Sequence, residues 1–180
     1  MVADSKIDLW AIDDVHFQQH GSRCRMWISP EEKDPVLKHE PTRNKIGYFG
    51  AIRLRDGKFI YRRETEKFNA ETFIKFLKQL RKASCHSGKT VVSISDNARY
   101  HHAKLHKEYR EGCNDRFRLD FLPPYNPDLN PIERVWKLTR RCCIHNTCFP
   151  SLKNVLSAVE EKFNEWHKGS QILKKLCAIN

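Results

Sequence analysis

Hydrophobic positions along the chain fall into short continuous runs and longer stretches with helical spacing. The short runs are rich in β-branched and aromatic residues and predict strands. They lie at residues 7–12, 25–29, 45–54, 58–62, 90–94 and 117–121, with Trp27 as a core residue of the second run. Asp56-Gly57 is a hairpin signal between the third and fourth runs. The pattern predicts an antiparallel meander over the first 63 residues, with the first strand at its centre.

Apolar residues at helical spacing predict four helices. The first covers residues 70–83 with Asn69 as its N-cap, and the second covers residues 101–111. The third follows Asn130 and continues to residue 145. The final helix begins after Ser151, and its inner face is formed by Val155, Leu156, Val159, Phe163 and Trp166. Strands that alternate with helices indicate a mixed α/β fold, and the absence of an internal boundary in 180 residues indicates one domain over residues 1–180.

The stretch from residue 122 to 136 joins the last strand to the third helix and reads L-P-P-Y-N-P-D-L-N-P-I-E-R-V-W. Asn130 is predicted to cap the helix with its side-chain oxygen, and Pro131 falls at the first helical position. Glu133 lands on the third position, where an acid can close a capping box with Asn130. Three prolines and several polar turn residues define this entry more tightly than a cap requires, which favours a functional role for Glu133.

Acidic residues follow two of the predicted buried strands. Asp13 and Asp14 come directly after residues 7–12, and Asp96 follows residues 90–94. A charge at such a position is unfavourable unless it is paired or bound to a metal, and ligands of open α/β sheets lie beyond the carboxyl ends of strands. Two structural alternatives stand beside a catalytic interpretation: Asp13 and Asp14 in a solvated turn, and Asp96 as the cap of the next helix.

Residues 122–136 resemble the third catalytic block of DDE transposases, in the bacterial insertion-sequence branch related to mariner elements. The family pattern is close to L-P-P-Y-S-P-x-L-N-P-I-E-x-x-W, and this chain departs from it only by Asn126 in place of serine. Asp13-Asp14 resembles the first block, with the second aspartate at the position of a glutamate. D-N-A-x-x-H, which begins at Asp96, resembles the second block. The resemblance covers residues 8 to at least 166.

The resemblance implies an RNase H-like fold, in which a mixed central sheet is flanked by helices. It implies that Asp13, Asp96 and Glu133 are the catalytic and metal-binding carboxylates, with Asp13 as the bridging ligand. Three clustered carboxylates repel one another and oxygen ligands select hard ions, so the implied cofactors are two Mg²⁺ or Mn²⁺ ions. Supporting roles are implied for Asp14, Asn97, His101 and Asn130. Without the resemblance, His101 and His102 are expected to be solvated or capping residues, since Mg²⁺ prefers oxygen ligands.

The charge balance indicates a polyanionic partner. The chain has 33 basic and 22 acidic residues, a net charge of +11, and nucleic acid is the simplest partner for such an excess. An anionic membrane is the rival, but no basic amphipathic segment, signal peptide or run of transmembrane length is present. The candidate DNA contacts flank the second and third acids, at Arg99, Lys104, Lys107, Arg134, Lys137, Arg140 and Arg141. The alternative for each is an ordinary solvated helix face.

Cysteine usage indicates a reducing compartment. The seven cysteines are odd in number and form no C-x-x-C pair, which fits reduced thiols in a cytosolic protein better than a disulfide framework. With the resemblance, we expect the chain in the prokaryotic cytoplasm, associated with the nucleoid. A zinc site is an alternative for the cluster at Cys142, Cys143, His145 and Cys148, although its spacing matches no usual zinc knuckle.

The family usually carries an N-terminal helix-turn-helix region that recognises transposon ends. Only about a dozen residues precede Asp13, and none forms such a motif. We therefore expect a separate or frameshift-fused DNA-binding region, or a fragment. A homodimer on DNA is expected from the resemblance, because transposon ends and target DNA must be joined. Two alternatives remain to a transposase catalytic domain that cleaves and transfers strands: a catalytically silent DNA-binding remnant, and a nuclease of the same fold.

Overall fold

The computed structural model describes residues 6–32, 36, 38, 41–84, 88–113, 116–123 and 127–178. Five strands form one sheet: β1 Ile7–Gln18, β2 Lys45–Arg53, β3 Phe59–Glu64, β4 Thr90–Ser95 and β5 Phe117–Phe121. The α-helices are α1 Ala70–Ser84, α2 Lys104–Glu111, α3 Ile132–Thr139, α4 Leu152–Glu165 and α5 Gln171–Leu176. Short 3₁₀ turns lie at Arg99–His102 and Pro127–Leu129, and a π-helical turn at Arg140–Ile144 continues α3.

The sheet is mixed, with β1 at its centre. The strand order is β3-β2-β1-β4-β5. β1 pairs antiparallel with β2 and parallel with β4, and the outer strands continue these directions. Helices cover both faces, because β1 alternates its apolar side chains between them. Trp10 and Ile12 pack towards α1, whereas Val15 and Phe17 pack towards α3 and α4. The mixed sheet with flanking helices agrees with the prediction from the sequence.

β1 is longer than the hydrophobic run that predicted it. The strand was expected to end at Ile12, but it continues to Gln18. The reason is β2, which pairs with β1 along the whole extension, as far as Gln18 opposite Lys45. Asp13 and Asp14 therefore lie inside a strand, and the alternative that placed them in a solvated turn is wrong.

The segment after β1 is not the strand predicted at residues 25–29. Trp27 is fully exposed, at 101% of its reference area, and does not belong to the core. The backbone nearby bonds to a side chain instead of a strand, since Cys24 N–H donates to Asn146 Oδ1 at 3.0 Å and Cys24 O accepts from Asn146 Nδ2 at 3.1 Å. Among the described residues no strand lies beside this run, so its β-type composition does not lead to a strand.

The helix predictions were confirmed in position, with three differences. Asn69 caps α1 as expected and accepts from Thr72 N–H at 2.9 Å. The helix expected at 101–111 is broken at Ala103, whose backbone is extended. Ser151 precedes α4 without a side-chain cap. A further helix, α5, follows the one predicted as last, and Ser170 caps it by accepting from Leu173 N–H. No helix in the described part of the chain has the length and apolarity to cross a membrane.

Candidate active site

The pairing of β1 with β4 sets the first two candidate acids side by side. The strands run parallel and are paired as far as Ala11 opposite Ile94. Two residues further along each chain, the same register reaches Asp13 and Asp96. β4 ends one residue before Asp96, so this acid lies just beyond the carboxyl end of a parallel strand, where α/β sheets place their ligand sites.

Asp13 is bound to α3 through Trp136. The indole Nε1 donates to Asp13 Oδ2 at 3.0 Å, and Trp136 is itself buried. Burial raises the pKa of Asp13 from 3.8 to about 8; the Trp136 hydrogen bond opposes this shift, and the charges of Asp14 and Glu133 add to it. Without a cation beside it, this carboxyl is largely protonated at pH 7.

Asp14 points to the opposite face of the sheet from Asp13, because side chains alternate along a strand. The Tyr100 hydroxyl donates to Asp14 Oδ1. Burial raises the pKa of Asp14, the Tyr100 hydrogen bond lowers it, and the charge of Asp96 raises it. Burial also raises the pKa of Tyr100, as do the charges of all three aspartates, so its phenol lies among them. Sequence reasoning missed Tyr100. The one signal that could have indicated it is its position inside D-N-A-x-x-H.

Asp96 is held by His101 and by a backbone amide. His101 Nδ1 lies 2.8 Å from Asp96 Oδ1, and Ala98 N–H donates to the same oxygen at 3.2 Å. The His101 hydrogen bond is the main reason that the pKa of Asp96 lies below its ordinary value. His101 is buried, contacts Ser95 Oγ at 3.0 Å and packs against the Phe73 ring. The expectation that His101 is solvated or caps a helix is therefore wrong, because its ring is needed to orient Asp96.

Asn97 and His102 connect the end of β4 to the end of β5. Asn97 Nδ2 donates to the carbonyl oxygen of Leu122. His102 Nε2 lies 3.2 Å from Asn97 Oδ1, and its ring stacks on Phe121 at a centroid distance of 4.1 Å. These contacts close the turn that carries Asp96.

Glu133 lies in the first turn of α3, and no capping box forms around it. The prediction that Asn130 caps the helix is wrong, because Asn130 Nδ2 donates to the carbonyl oxygen of Ile12 at 3.1 Å and Pro131 occupies the N-cap position. Within the described structure, the buried Asn130 Oδ1 has no hydrogen-bond partner. Asn130 thus connects the start of α3 to β1 immediately before Asp13. Asn126, the departure from the family pattern, lies outside the described residues.

The three acids fit a hard divalent cation by their chemistry. The charge of Glu133 acts on Asp13, and that of Asp96 acts on Asp14, so acids from β1, from the end of β4 and from α3 lie within electrostatic reach. In the described ranges, no three His, Cys, Asp or Glu side chains surround a common metal position. The aspartate oxygens are bonded to tryptophan, tyrosine and histidine instead. Oxygen-only donors that repel one another are nevertheless the set that a cation such as Mg²⁺ balances.

The sequence model of the DDE superfamily endonuclease family matches residues 8–156, a span that contains all three acids. This chain belongs to the DDE superfamily endonuclease family. A partial relative is the uncharacterized protein y4pE/y4sA of Sinorhizobium fredii (strain NBRC 101917 / NGR234). It is 32% identical over 74 residues, which are 41% of this chain and 51% of that protein.

Solved structures share the fold of this DDE family member at low sequence identity. The Mos1 mariner paired end complex with Mn has a TM-score of 0.67 at 17% identity, and the match covers 94% of this chain and 51% of that one. The Mos1 strand transfer complex has a TM-score of 0.66 at 17% identity, and the match covers 94% of this chain and 50% of that one. The catalytic domain of Mos1 mariner transposase has a TM-score of 0.57 at 16% identity, and the match covers 94% of this chain and 78% of that one. The RNase H-like fold is confirmed, and the chain spans about half the length of the first relatives it matches.

The basic residues predicted to contact DNA differ in how far they are exposed to solvent. Arg99, Lys104, Lys137 and Arg141 are exposed, as is Lys107. The ammonium groups of Lys104 and Lys137 lie 3.7 and 3.5 Å from exposed carboxylates, and such pairs contribute little to stability. These five side chains are therefore accessible to a phosphate.

Arg134 has an intramolecular role that the sequence did not indicate. Its Nη1 donates to the carbonyl oxygens of Leu176 and Ala178, each at 3.0 Å. The guanidinium group thereby caps the carboxyl end of α5 and joins it to α3. Arg140 also differs from the expected solvated position, because it is half-buried with its Cζ 5.7 Å from the centre of the Phe17 ring.

The cysteine cluster after α3 has another structural task. Cys142 and Cys148 are exposed, and Cys143 is half-buried. His145 Nδ1 lies 2.6 Å from Ser22 Oγ. No metal-binding group that would include these cysteines exists among the residues with described positions, and His145 instead anchors the segment that follows β1 through Ser22.

Proposed function

We propose that this chain is the catalytic domain of a DNA transposase, which cleaves strands at the ends of an insertion sequence and joins them to a target. The observation that carries the proposal is that the register of β1 and β4 sets the backbone of Asp13 beside that of Asp96, and that the charge of Glu133 on α3 acts on Asp13. Membership of an endonuclease family supports phosphodiester chemistry. The shared fold of the Mos1 strand transfer and paired-end complexes supports a transposase.

In this proposal, Asp13, Asp96 and Glu133 are the residues that would hold two Mg²⁺ or Mn²⁺ ions. When bound, such ions stabilise the charge on the attacking and leaving oxygens of the scissile phosphate. The oxygen-only donor set and the raised pKa of Asp13 support this assignment. The Mos1 paired-end complexes with Mn and with Mg support it as well.

The chain's own residues orient the acids before DNA binds. Trp136 fixes one oxygen of Asp13, His101 fixes one oxygen of Asp96, and Asn130 fixes the start of α3 relative to β1. Groups held in place in this way lose little orientational freedom when the phosphate arrives. With water as the nucleophile the product is a broken strand with a 3′-hydroxyl. With that hydroxyl as the nucleophile, the same acids serve strand transfer.

The partner of this site is DNA. The net charge of +11 and the exposed basic residues beside the acids support binding to phosphates. We propose a homodimer on DNA, because two ends must be joined, and the paired-end complexes of Mos1 support this arrangement. We further propose that recognition of the ends belongs to a separate or frameshift-fused DNA-binding region, and that the protein works in the prokaryotic cytoplasm at the nucleoid.

The deciding experiment combines metal binding with strand cleavage. Mn²⁺ is titrated by calorimetry into the wild type, Asp96→Asn and the control Asp128→Asn, whose side chain is 92% exposed. The same proteins are then assayed for Mn²⁺-dependent nicking of a supercoiled plasmid. We expect both metal binding and nicking to be lost in Asp96→Asn and retained in the control.

Two results would overturn the proposal in different ways. Metal and DNA binding without any nicking by the wild type would identify a silent DNA-binding remnant. Nicking that never yields joined strands, even when the separate DNA-binding region and terminal-repeat DNA are supplied, would identify a nuclease of the same fold.

A further inference from the structure

A cavity of about 300 Å³ lies where β1 continues beyond the acids. Its wall is formed by the end of β1, the segment that follows it and the π-helical turn after α3, with His16, His20, Ser22 and Arg140 among the lining residues. The volume is at the lower end of the range for ligand pockets. It suits one phosphate with its sugar and is too small for a duplex.

The cavity is close to the acids along the same strand. His16 follows Asp14 by two residues, so both side chains leave the same face of β1, about 7 Å apart along the strand. The pairing of β1 with β4 stops at Ala11. From Asp13 onwards, this edge of β1 therefore has no strand neighbour among the described residues, and it is open to a ligand.

The lining of the cavity carries a single permanent positive charge. It contains one guanidinium group and two imidazoles and no carboxylate. The Arg140 guanidinium lies over the Phe17 ring, and in the described parts of the chain no carboxylate pairs with it. Lys45 is also near, since its charge, after burial, lowers the pKa of His16. An unpaired arginine in a half-buried position is a preferred partner of phosphate, because its planar fork can bond two oxygens at once.

The cavity is preformed. Ser22 Oγ and His145 Nδ1 are 2.6 Å apart and fix one wall to the chain after α3. Gly21 has a φ of +66°, and a Cβ at this position would lie 2.6 Å from the carbonyl oxygen of Thr147. Only glycine lets the backbone pass so closely here. A wall built in this way does not have to rearrange when an anion binds.

We infer that this cavity is a binding site for a backbone phosphate of the cleaved DNA strand, one or two nucleotides from the scissile phosphate, with Arg140 as its principal ligand. The inference rests on the proposed function, because it assumes that the scissile phosphate of the DNA lies at the three acids. Contacts of this kind position the strand and read no sequence. The site thereby determines which phosphodiester reaches the acids.

The test measures binding to a short fluorescent duplex of random sequence over a series of salt concentrations. The proteins are the wild type, Arg140→Gln, Arg140→Lys and Arg116→Gln. Arg116 is exposed and lies at the start of β5, the opposite end of the sheet from the acids, so its variant loses the same charge away from the cavity. The side-chain Nε–Hε NMR signals of arginine are followed with the same duplex, and thermal unfolding checks that each variant is folded.

We expect Arg140→Gln to weaken binding by about 10-fold and to reduce the slope of log K against log salt by about 0.9, the contribution of one phosphate contact. Arg140→Lys keeps most of the slope, Arg116→Gln keeps all of it, and the Arg140 Nε–Hε signal shifts on DNA addition. Equal losses in Arg140→Gln and Arg116→Gln, or an unmoved Arg140 signal in wild type that binds DNA, would overturn the inference and leave the proposed function intact. The NMR outcome decides the matter if Arg140→Gln fails to fold. A wild type that binds no DNA would overturn both.

Discussion

The indole nitrogen of Trp136 lies 3.0 Å from Oδ2 of Asp13, and this hydrogen bond joins residues 123 positions apart. Trp136 also reaches β2, where a Cβ on Gly50 would collide with the indole ring. The central strand, its antiparallel neighbour and the helix of Glu133 therefore meet at one side chain. The position of the first acid relative to the third depends on this contact.

Replacement of Trp136 by phenylalanine retains most of the ring and removes the N–H. Because the hydrogen bond lowers the pKa of Asp13, we expect the variant to raise that pKa further, to lose about 1–3 kcal/mol of unfolding free energy, and to nick DNA more slowly. The measurement is NMR titration of the Asp13 carboxyl carbon. Trp10→Phe is the matched control, since Trp10 Nε1 is buried without a partner in the described structure; the same displacement of the Asp13 titration in both variants would contradict the prediction.

The raised pKa of Asp13 makes stability depend on pH when divalent ions are removed. Between pH 3.8 and about 8 the folded protein keeps a proton that the unfolded chain releases, so the free energy of unfolding falls as pH rises through this window. Asp13→Asn does not titrate there, and we expect it to gain stability relative to the wild type with increasing pH. Urea unfolding in a chelating buffer across this range is the measurement.

Asp96→Asn is the control for this pH series. The pKa of Asp96 is shifted downwards. The ionised Asp96 therefore stabilises the fold at every pH above the ordinary aspartate pKa, and this stabilisation is lost only as the pH falls through the lowered pKa. Loss of the Asp96 titration itself should therefore leave the slope of the stability profile unchanged between about pH 5 and 8. Parallel profiles for Asp13→Asn as well would show that Asp13 titrates normally.

Glu133→Gln tests whether this acid is catalytic or structural. No capping box forms at α3, so we expect the unfolding free energy to change by less than about 0.5 kcal/mol, DNA binding to persist and Mn²⁺-dependent nicking to disappear. Glu161→Gln, at an exposed position of α4, is the matched control and should nick normally. A substantial loss of stability with residual nicking would show that Glu133 stabilises the first turn of α3 and is not catalytic.

Arg134→Ala should act on folding more than on DNA. The variant leaves the carbonyl groups of Leu176 and Ala178 without their donor, and we expect about 1–3 kcal/mol less unfolding free energy and faster amide hydrogen exchange in α5. Lys137→Ala removes a charge from the same helix at an exposed site and should leave both unchanged. If Arg134→Ala instead lowers only DNA affinity, the guanidinium group faces phosphate in solution.

The acids could be predicted from sequence because their surroundings are local. Asp96 follows a β-branched run, and Glu133 follows a proline-rich turn, so each is marked by its neighbours in the chain. The hydrophobic periodicity predicts a mixed α/β domain, and the RNase H-like arrangement of its sheet came from the family resemblance. The family pattern then associates the three acids, which no spacing rule could have done.

The missed features depend on partners distant in sequence. β1 continues through Asp13 because β2 pairs with it. Asn130 does not cap α3 with its side chain, because its amide group donates to the carbonyl oxygen of Ile12. Tyr100 and Arg134 likewise bond to groups that only the folded chain brings near. The composition around Trp27 favours a core strand, but in the described part of the chain no strand lies beside it. Local pattern shows what a residue prefers, and the tertiary structure decides which partner it finds.

The family match ends at residue 156, yet the chain beyond it is built into the core. Phe163, Trp166 and Leu173 are buried, and the Cys177 thiol contacts the carbonyl oxygen of Pro131 at the entrance to α3. A recombinant protein trimmed to the family boundary would expose these apolar surfaces and release the helix of Glu133, so it would be prone to aggregate. A recombinant protein should therefore keep the residues beyond 156 that are buried in this core.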